Sequence, residues 1–170
     1  PTKIAEAAFV AAISSYGRSQ LMRWSDPVHW PRITIVRCGL DRSFLDAEPA
    51  ADRRYDGFCA VARLSAQKGL PLLIDAVALL VARGLDPRLT VIGEGELRPA
   101  LERRIAELDL SERVQLVGSR DATGVRTALS QARAMVLPSF AEGLPVVIME
   151  SLAVGTPVIV SAIAGTPELV

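Results

Sequence analysis

Residues 140–150 read F-A-E-G-L-P-V-V-I-M-E and place two carboxylates, Glu142 and Glu150, on either side of a Gly/Pro loop. Pro145 suits the first turn of a helix, where a missing N–H costs nothing. Glu142 is therefore expected in a loop at a helix mouth, and Glu150 roughly a turn and a half inside the helix. A helix N-terminus offers unpaired N–H groups and a partial positive charge, which suits an anion such as a pyrophosphate. The N–H groups of Gly143 and Leu144 stand beside Glu142 in such an arrangement. Carboxylates next to that anion accept hydrogen bonds from sugar hydroxyls. The local chemistry is that of a nucleotide-sugar site.

Two upstream segments carry compatible groups. Residues 58–69, F-C-A-V-A-R-L-S-A-Q-K-G, set Arg63 and Lys68 between a strand end and the start of a helix. A lone Arg/Lys pair is ordinarily a solvated surface pair. After an apolar strand, and with the acidic pair downstream, these two become candidate pyrophosphate ligands. Each charge-assisted bond would contribute about 1.5–3 kcal/mol. Residues 89–95, L-T-V-I-G-E-G, end a second strand on Gly93-Glu94-Gly95. As a dinucleotide fingerprint this turn is poor: Arg98 takes the third glycine position, and the next strand ends without an acid for a ribose. A tight turn that admits a nucleotide backbone stays open at Gly93.

Composition narrows the field. The 170 residues carry 19 basic and 19 acidic side chains, so no global field captures nucleic acid and an anion site must be built locally. The two cysteines, Cys38 and Cys59, have neither metal-ligand spacing nor a disulfide framework, which suits a reducing compartment. The single histidine, His29, argues against a His-rich metal site and a Ser-His-Asp triad. With Trp24 and Trp30 nearby it reads as a packing cluster rather than a ligand. No Asp-x-Asp occurs, which argues against donor binding through a metal held by that motif. Residues 144–165 are apolar and long enough to imitate a membrane span. Glu150 and the Gly155-Thr156-Pro157 break favour helix, turn and buried strand instead. Pro1 is not an initiator methionine, so the chain is expected to be an excised piece with no signal peptide.

These groups need elements to position them. Short apolar runs at 58–62, 89–93, 114–118, 134–138 and 157–161 read as strands of a parallel sheet covered on both faces. Between them, Leu70, Leu73, Ile74, Val77, Leu80 and Val81 share one helical face, as do Leu97, Leu101, Ile105 and Leu108. The expected fold class is α/β, a Rossmann-like doubly wound parallel sheet, with its site at the carboxyl ends of the strands. Before residue 55 the pattern changes: a strand at 9–15, a helix at 17–24, a short strand at 33–37, then a polar linker at 46–55.

The three motifs, in this order and spacing, resemble those of the retaining family 4 (group 1) glycosyltransferases of GT-B fold. The resemblance implies a remnant of the N-terminal, acceptor-side domain at 1–45, a linker at 46–55, and a nucleotide-sugar-binding domain at 56–170 that stops short of its usual C-terminal helices. Cys38 stands where many relatives have Asn. The donor would be a nucleoside-diphosphate sugar, on UDP or GDP, with no cofactor and no metal. Arg63, Lys68, Gly143 and Leu144 would hold the diphosphate, Glu150 the ribose hydroxyls, and Gly93, Gly118 and Ser119 the nucleoside. Glu142 would orient the sugar as the catalytic residue. The acceptor would be a carbohydrate or lipid-linked saccharide in polysaccharide or glycolipid assembly, in the cytoplasm, with peripheral contact at the inner membrane face through the rest of the N-terminal domain. This chain alone is expected to bind nucleotide yet transfer little or no sugar. Three alternatives stay open: a sugar-nucleotide epimerase of the same fold, a non-catalytic nucleotide-binding module, and a glycosidase. The last would need its acid pair about 5–9.5 Å apart.

Overall fold

The computed structural model describes residues 2–46 and 57–170; most of the linker expected at 46–55 lies outside them. The chain runs from helix α1 (Thr2–Glu6) to strand β1 (Val10–Ala12), helix α2 (Ser15–Arg23), a 3-10 turn, strand β2 (Ile33–Ile35) and short helix α3 (Arg42–Leu45). After the linker come β3 (Phe58–Val61), α4 (Leu70–Ala82), β4 (Leu89–Ile92), α5 (Arg98–Glu107), β5 (Val114–Leu116), α6 (Ala122–Gln131), β6 (Ala134–Leu137), α7 (Val146–Ala153) and β7 (Val158–Val160). Each expected strand is present, shorter by one to four residues in all. The apparent membrane span is α7, a turn and β7, and among the described residues no helix is long and apolar enough to cross a bilayer.

The five later strands form one parallel sheet in the order β5-β4-β3-β6-β7. The chain starts in the middle, builds outward to β5, then returns to the other side of β3 through α6. The order therefore reverses between β3 and β6, and the chain leaving their carboxyl ends leads to α4 on one face of the sheet and α7 on the other. Both faces are covered, as the continuous apolar strands require. One core cluster joins Ala60, Val91 and Val114 to Leu70, Ile74, Leu101 and Ile105 of α4 and α5. The other joins Cys59, Met135 and Leu137 to Leu129 of α6 and Ile148 of α7, and takes in Phe44 of α3. Strands β1 and β2 form a separate parallel pair with α2 packed against them.

Sequence periodicity did not reveal α6, because Thr123, Gly124 and Ser130 dilute its apolar face. Its start is nonetheless fixed locally, by the Asp121 side chain accepting from the Gly124 N–H at 2.8 Å. The tryptophan cluster expected around His29 is not buried. Trp24 is 67% exposed, and the Arg23 guanidinium lies 5.9 Å from its ring centroid. Trp30 is tied to the surface through its Nε1–H, which donates to the Met22 carbonyl.

Candidate active site

Lys68 and Glu142 meet where the strand order reverses. Lys68 ends a 3-10 turn (Ala66–Lys68) in the loop after β3. Glu142 lies in the loop after β6. Nζ stands 2.7 Å from Glu142 Oε1, and the two side chains are 16% and 8% exposed. Ser139 Oγ donates to the same oxygen at 2.6 Å, and Ser139 itself is buried. A carboxylate this deep needs such partners. Lysine has three N–H donors, so one engaged by Glu142 leaves two for another anion. Glu142 Oε2 has no partner among the described residues.

The backbone brings the two loops to this distance. Gly69, at φ +65, lies so close to Pro138 that an added Cβ would sit 2.1 Å from its carbonyl oxygen. The Phe140 N–H donates to the Gln67 carbonyl at 2.7 Å. Only glycine satisfies both demands at position 69, a left-handed conformation and a bare Cα against a neighbouring backbone. The following residues, Leu70 and Pro71, open α4 with Pro in its first turn.

The loop then turns into α7, with Pro145 as the flanking cap and no side-chain cap. The N–H groups of Gly143, Leu144, Val146 and Val147 find no acceptor among the described residues. Their combined partial charge makes this helix end a place for an anion. Glu150 is the fifth residue of α7 and half-buried. Its carboxylate has no partner among the described residues, and burial pushes its pKa up. An acid left in that condition is short of hydrogen-bond donors.

Arg63 is exposed and lines a neighbouring cavity of about 360 Å³ with Gly93, Glu94, Ser119 and Arg120, at the carboxyl ends of β3, β4 and β5. Gly118 borders it: the Gly93 N–H donates to the Gly118 carbonyl, and Gly118 has φ +75. The glycines of the G-E-G turn have a structural reason of their own. A Cβ at Gly93 would sit 2.0 Å from the Ala62 carbonyl oxygen, and one at Gly95 would sit 2.4 Å from that of Leu64. They let the loop after β4 lie on the loop after β3. The anticipated residues thus form two adjoining groups joined by the 62–69 loop: Lys68, Glu142, Gly143 and Leu144 in one, and Arg63, Gly93, Gly118 and Ser119 in the other. Ser139 was not anticipated, because Pro-Ser after an apolar run reads as an ordinary turn. Among the described residues no cluster of three or more His, Cys, Asp or Glu side chains could hold a metal.

The family model described as "Glycosyl transferases group 1" matches residues 41–170. The amylovoran biosynthesis glycosyltransferase AmsK of Erwinia amylovora is 39% identical over 117 residues, which cover 65% of this chain and 29% of that protein. The putative colanic acid biosynthesis glycosyltransferase WcaL of Salmonella typhimurium is 32% identical over 146 residues, 82% of this chain and 36% of that protein. The chain thus spans 29% and 36% of the length of these two curated relatives. Among solved structures, a mutant of S. aureus TarM in complex with Fondaparinux, alpha-GlcNAc-glycerol and UDP superposes with TM-score 0.85 at 19% identity, over 98% of this chain and 32% of that one. Anabaena Alr3699/HepE in complex with UDP and glucose does so with TM-score 0.82 at 22% identity, over 96% and 47%. These likenesses show the fold, that of GT-B glycosyltransferases. The chain belongs to the group 1 glycosyl transferases.

Proposed function

We propose that residues 57–170 bind a nucleoside-diphosphate sugar and that the whole protein transfers its sugar, with retention, to an acceptor in polysaccharide or glycolipid assembly. The observation that carries this reading is the Lys68–Glu142 pair at the strand-order reversal, beside the uncapped end of α7. The diphosphate sits on the free N–H groups of that end and on the two remaining donors of Lys68, with Arg63 on the cavity side. Glu150 accepts from the ribose hydroxyls, and Glu142 Oε2 accepts from a hydroxyl of the donor sugar. The nucleoside fills the cavity between Arg63, Gly93, Gly118 and Ser119. UDP in the TarM and HepE complexes supports a nucleotide in this fold. Residues 1–45 belong to the acceptor side and 46–55 link the two parts. The protein works in the cytoplasm against the inner membrane face.

In the reaction the acceptor oxygen bonds to the sugar's anomeric carbon as the bond from that carbon to the phosphate oxygen breaks. The electron pair leaves with the diphosphate, which takes the acceptor's proton on one of its oxygens. Positioning and charge stabilisation on the leaving group supply the catalysis. A thermal-shift panel of UDP, GDP and ADP with their sugars, on the full-length protein, tests the binding half. At hundredfold excess over Kd a true ligand adds about 2.7 kcal/mol of stability. Product analysis then tests transfer, which releases nucleoside diphosphate and forms a glycosidic bond. An isomerised sugar nucleotide would show the epimerase instead, and no shift with any nucleotide would overturn the reading.

A further inference from the structure

We infer that Glu168 is a positioning residue, a cap supplied from the far end of the same chain that seats the start of α2 on the Glu142 loop and so couples the N-terminal segment to the donor site. Four N–H groups at the start of a helix lack intrahelical partners. In α2 two of them, on Ser15 and Tyr16, donate to Oε2 and Oε1 of Glu168 at 3.0 Å each, across 153 and 152 positions of sequence. The third, on Gly17, donates to the Ser14 side chain at 2.9 Å, and the Arg18 N–H makes the first intrahelical bond, to the Ser14 carbonyl. The N–H groups of the first two helical residues are therefore capped only while Glu168 is in place. A carboxylate at this position also complements the helix dipole.

The same seam reaches the donor loop through backbone. The Gly165 N–H donates to the Gly143 carbonyl at 3.0 Å, one residue from Glu142. A Cβ on Gly165 would sit 2.3 Å from that carbonyl oxygen and 3.2 Å from the Ser14 side chain. Ile13 Cδ1 lies 3.7 Å from where a Cβ on Gly143 would be. Residues 13–16, leaving the carboxyl end of β1, thus meet Gly143, Gly165 and Glu168 in turn. Ala164, at φ +50, is a non-glycine residue held left-handed in the connecting turn. Arg37 adds an exposed contact to Glu168 at 3.2 Å. An ion pair of that kind carries little on its own. The two backbone N–H bonds are the working contact.

This inference rests on the donor reading above for its ligand arm only. The test is amide hydrogen exchange at Ser15 and Tyr16 in the full-length protein, free and saturated with UDP or GDP. Wild type, Glu168→Gln, Gly165→Ala and Arg37→Ala are compared. In the free protein, E168Q should exchange at Ser15 and Tyr16 about tenfold faster or more, while R37A stays within about twofold of wild type. Nucleotide binding should slow exchange at those two amides in wild type and R37A, and leave E168Q unchanged. G165A perturbs the seam from the Gly143 side and should also lose the nucleotide effect, so the inference does not depend on one variant folding well. Equal protection in E168Q and wild type overturns the cap. A nucleotide effect that survives in both E168Q and G165A overturns the coupling. If neither nucleotide binds wild type, the donor reading fails by itself, and exchange in the free proteins still decides the cap.

Discussion

Glu142 and Glu150 occupy opposite electrostatic situations. Glu142 is nearly buried but carries Lys68 and Ser139 on one oxygen. Glu150 is half-buried with no partner among the described residues, and its raised pKa is the consequence of that burial. The sign of the Glu150 effect gives a prediction. A carboxyl whose folded pKa exceeds its unfolded value favours the neutral form, so its stability contribution is present below the unfolded value of 4.5 and is lost as pH rises through the folded one. Glu150→Gln should therefore melt higher than wild type near neutrality, with the gap closing as pH falls below 4.5. The same change should weaken nucleotide affinity roughly tenfold, through loss of a charged acceptor. A variant that melts lower at neutral pH would show a structural role for Glu150 that no contact here explains. The acids and cations of the site were legible because charge inside an apolar string stands out. Ser139 was not, since a buried hydroxyl has no signature until its partner is in view.

The elements place the site through bare backbone as much as through side chains. Gly69 is both left-handed and pressed on the Pro138 carbonyl, so Gly69→Ala should cost more than about 2 kcal/mol and displace Lys68. Gly143 has an ordinary backbone and no neighbour closer than 3.7 Å to an added Cβ, so Gly143→Ala should stay within about 0.5 kcal/mol of wild type. Denaturant midpoints of the two variants check the contrast, and similar losses for both would contradict the loop packing described. Strand positions were readable from apolar runs, and α4 and α5 from their periodicity. Helix α6 was not, because its polar residues hide its face. The need for glycine at Gly93 and Gly95 was visible only as a motif. Its physical cause, contact with the carbonyls of Ala62 and Leu64, belongs to the tertiary structure.

Across the whole molecule, the order of the strands explains why the candidate site lies where it does: β3 and β6 are neighbours whose following helices cover opposite faces, and Lys68 and Glu142 meet between them. The seam with the N-terminal segment was illegible in sequence, because Glu168 acts on backbone N–H groups that any residue could supply. Those groups hold the Glu168 pKa down to about 2, the Ser15 N–H first among them. A depressed carboxyl contributes stability above its unfolded value of 4.5 and loses it as pH falls through the folded value. Protection at Ser15 and Tyr16 should accordingly fade between pH 4.5 and about 2 in wild type, while in E168Q it should be weaker and show no such step. The convergence of Lys68 and the α7 N-terminus on one diphosphate, proposed above, is the centre of the account. Calorimetric titration of the full-length protein and Lys68→Ala with UDP, GDP and ADP, each against its nucleoside, tests it most directly. The account predicts that wild type binds at least one diphosphate about tenfold or more tighter than its nucleoside, and that Lys68→Ala removes most of that difference while sparing the nucleoside. Equal affinity for diphosphate and nucleoside, or equal losses of both in the variant, would contradict it.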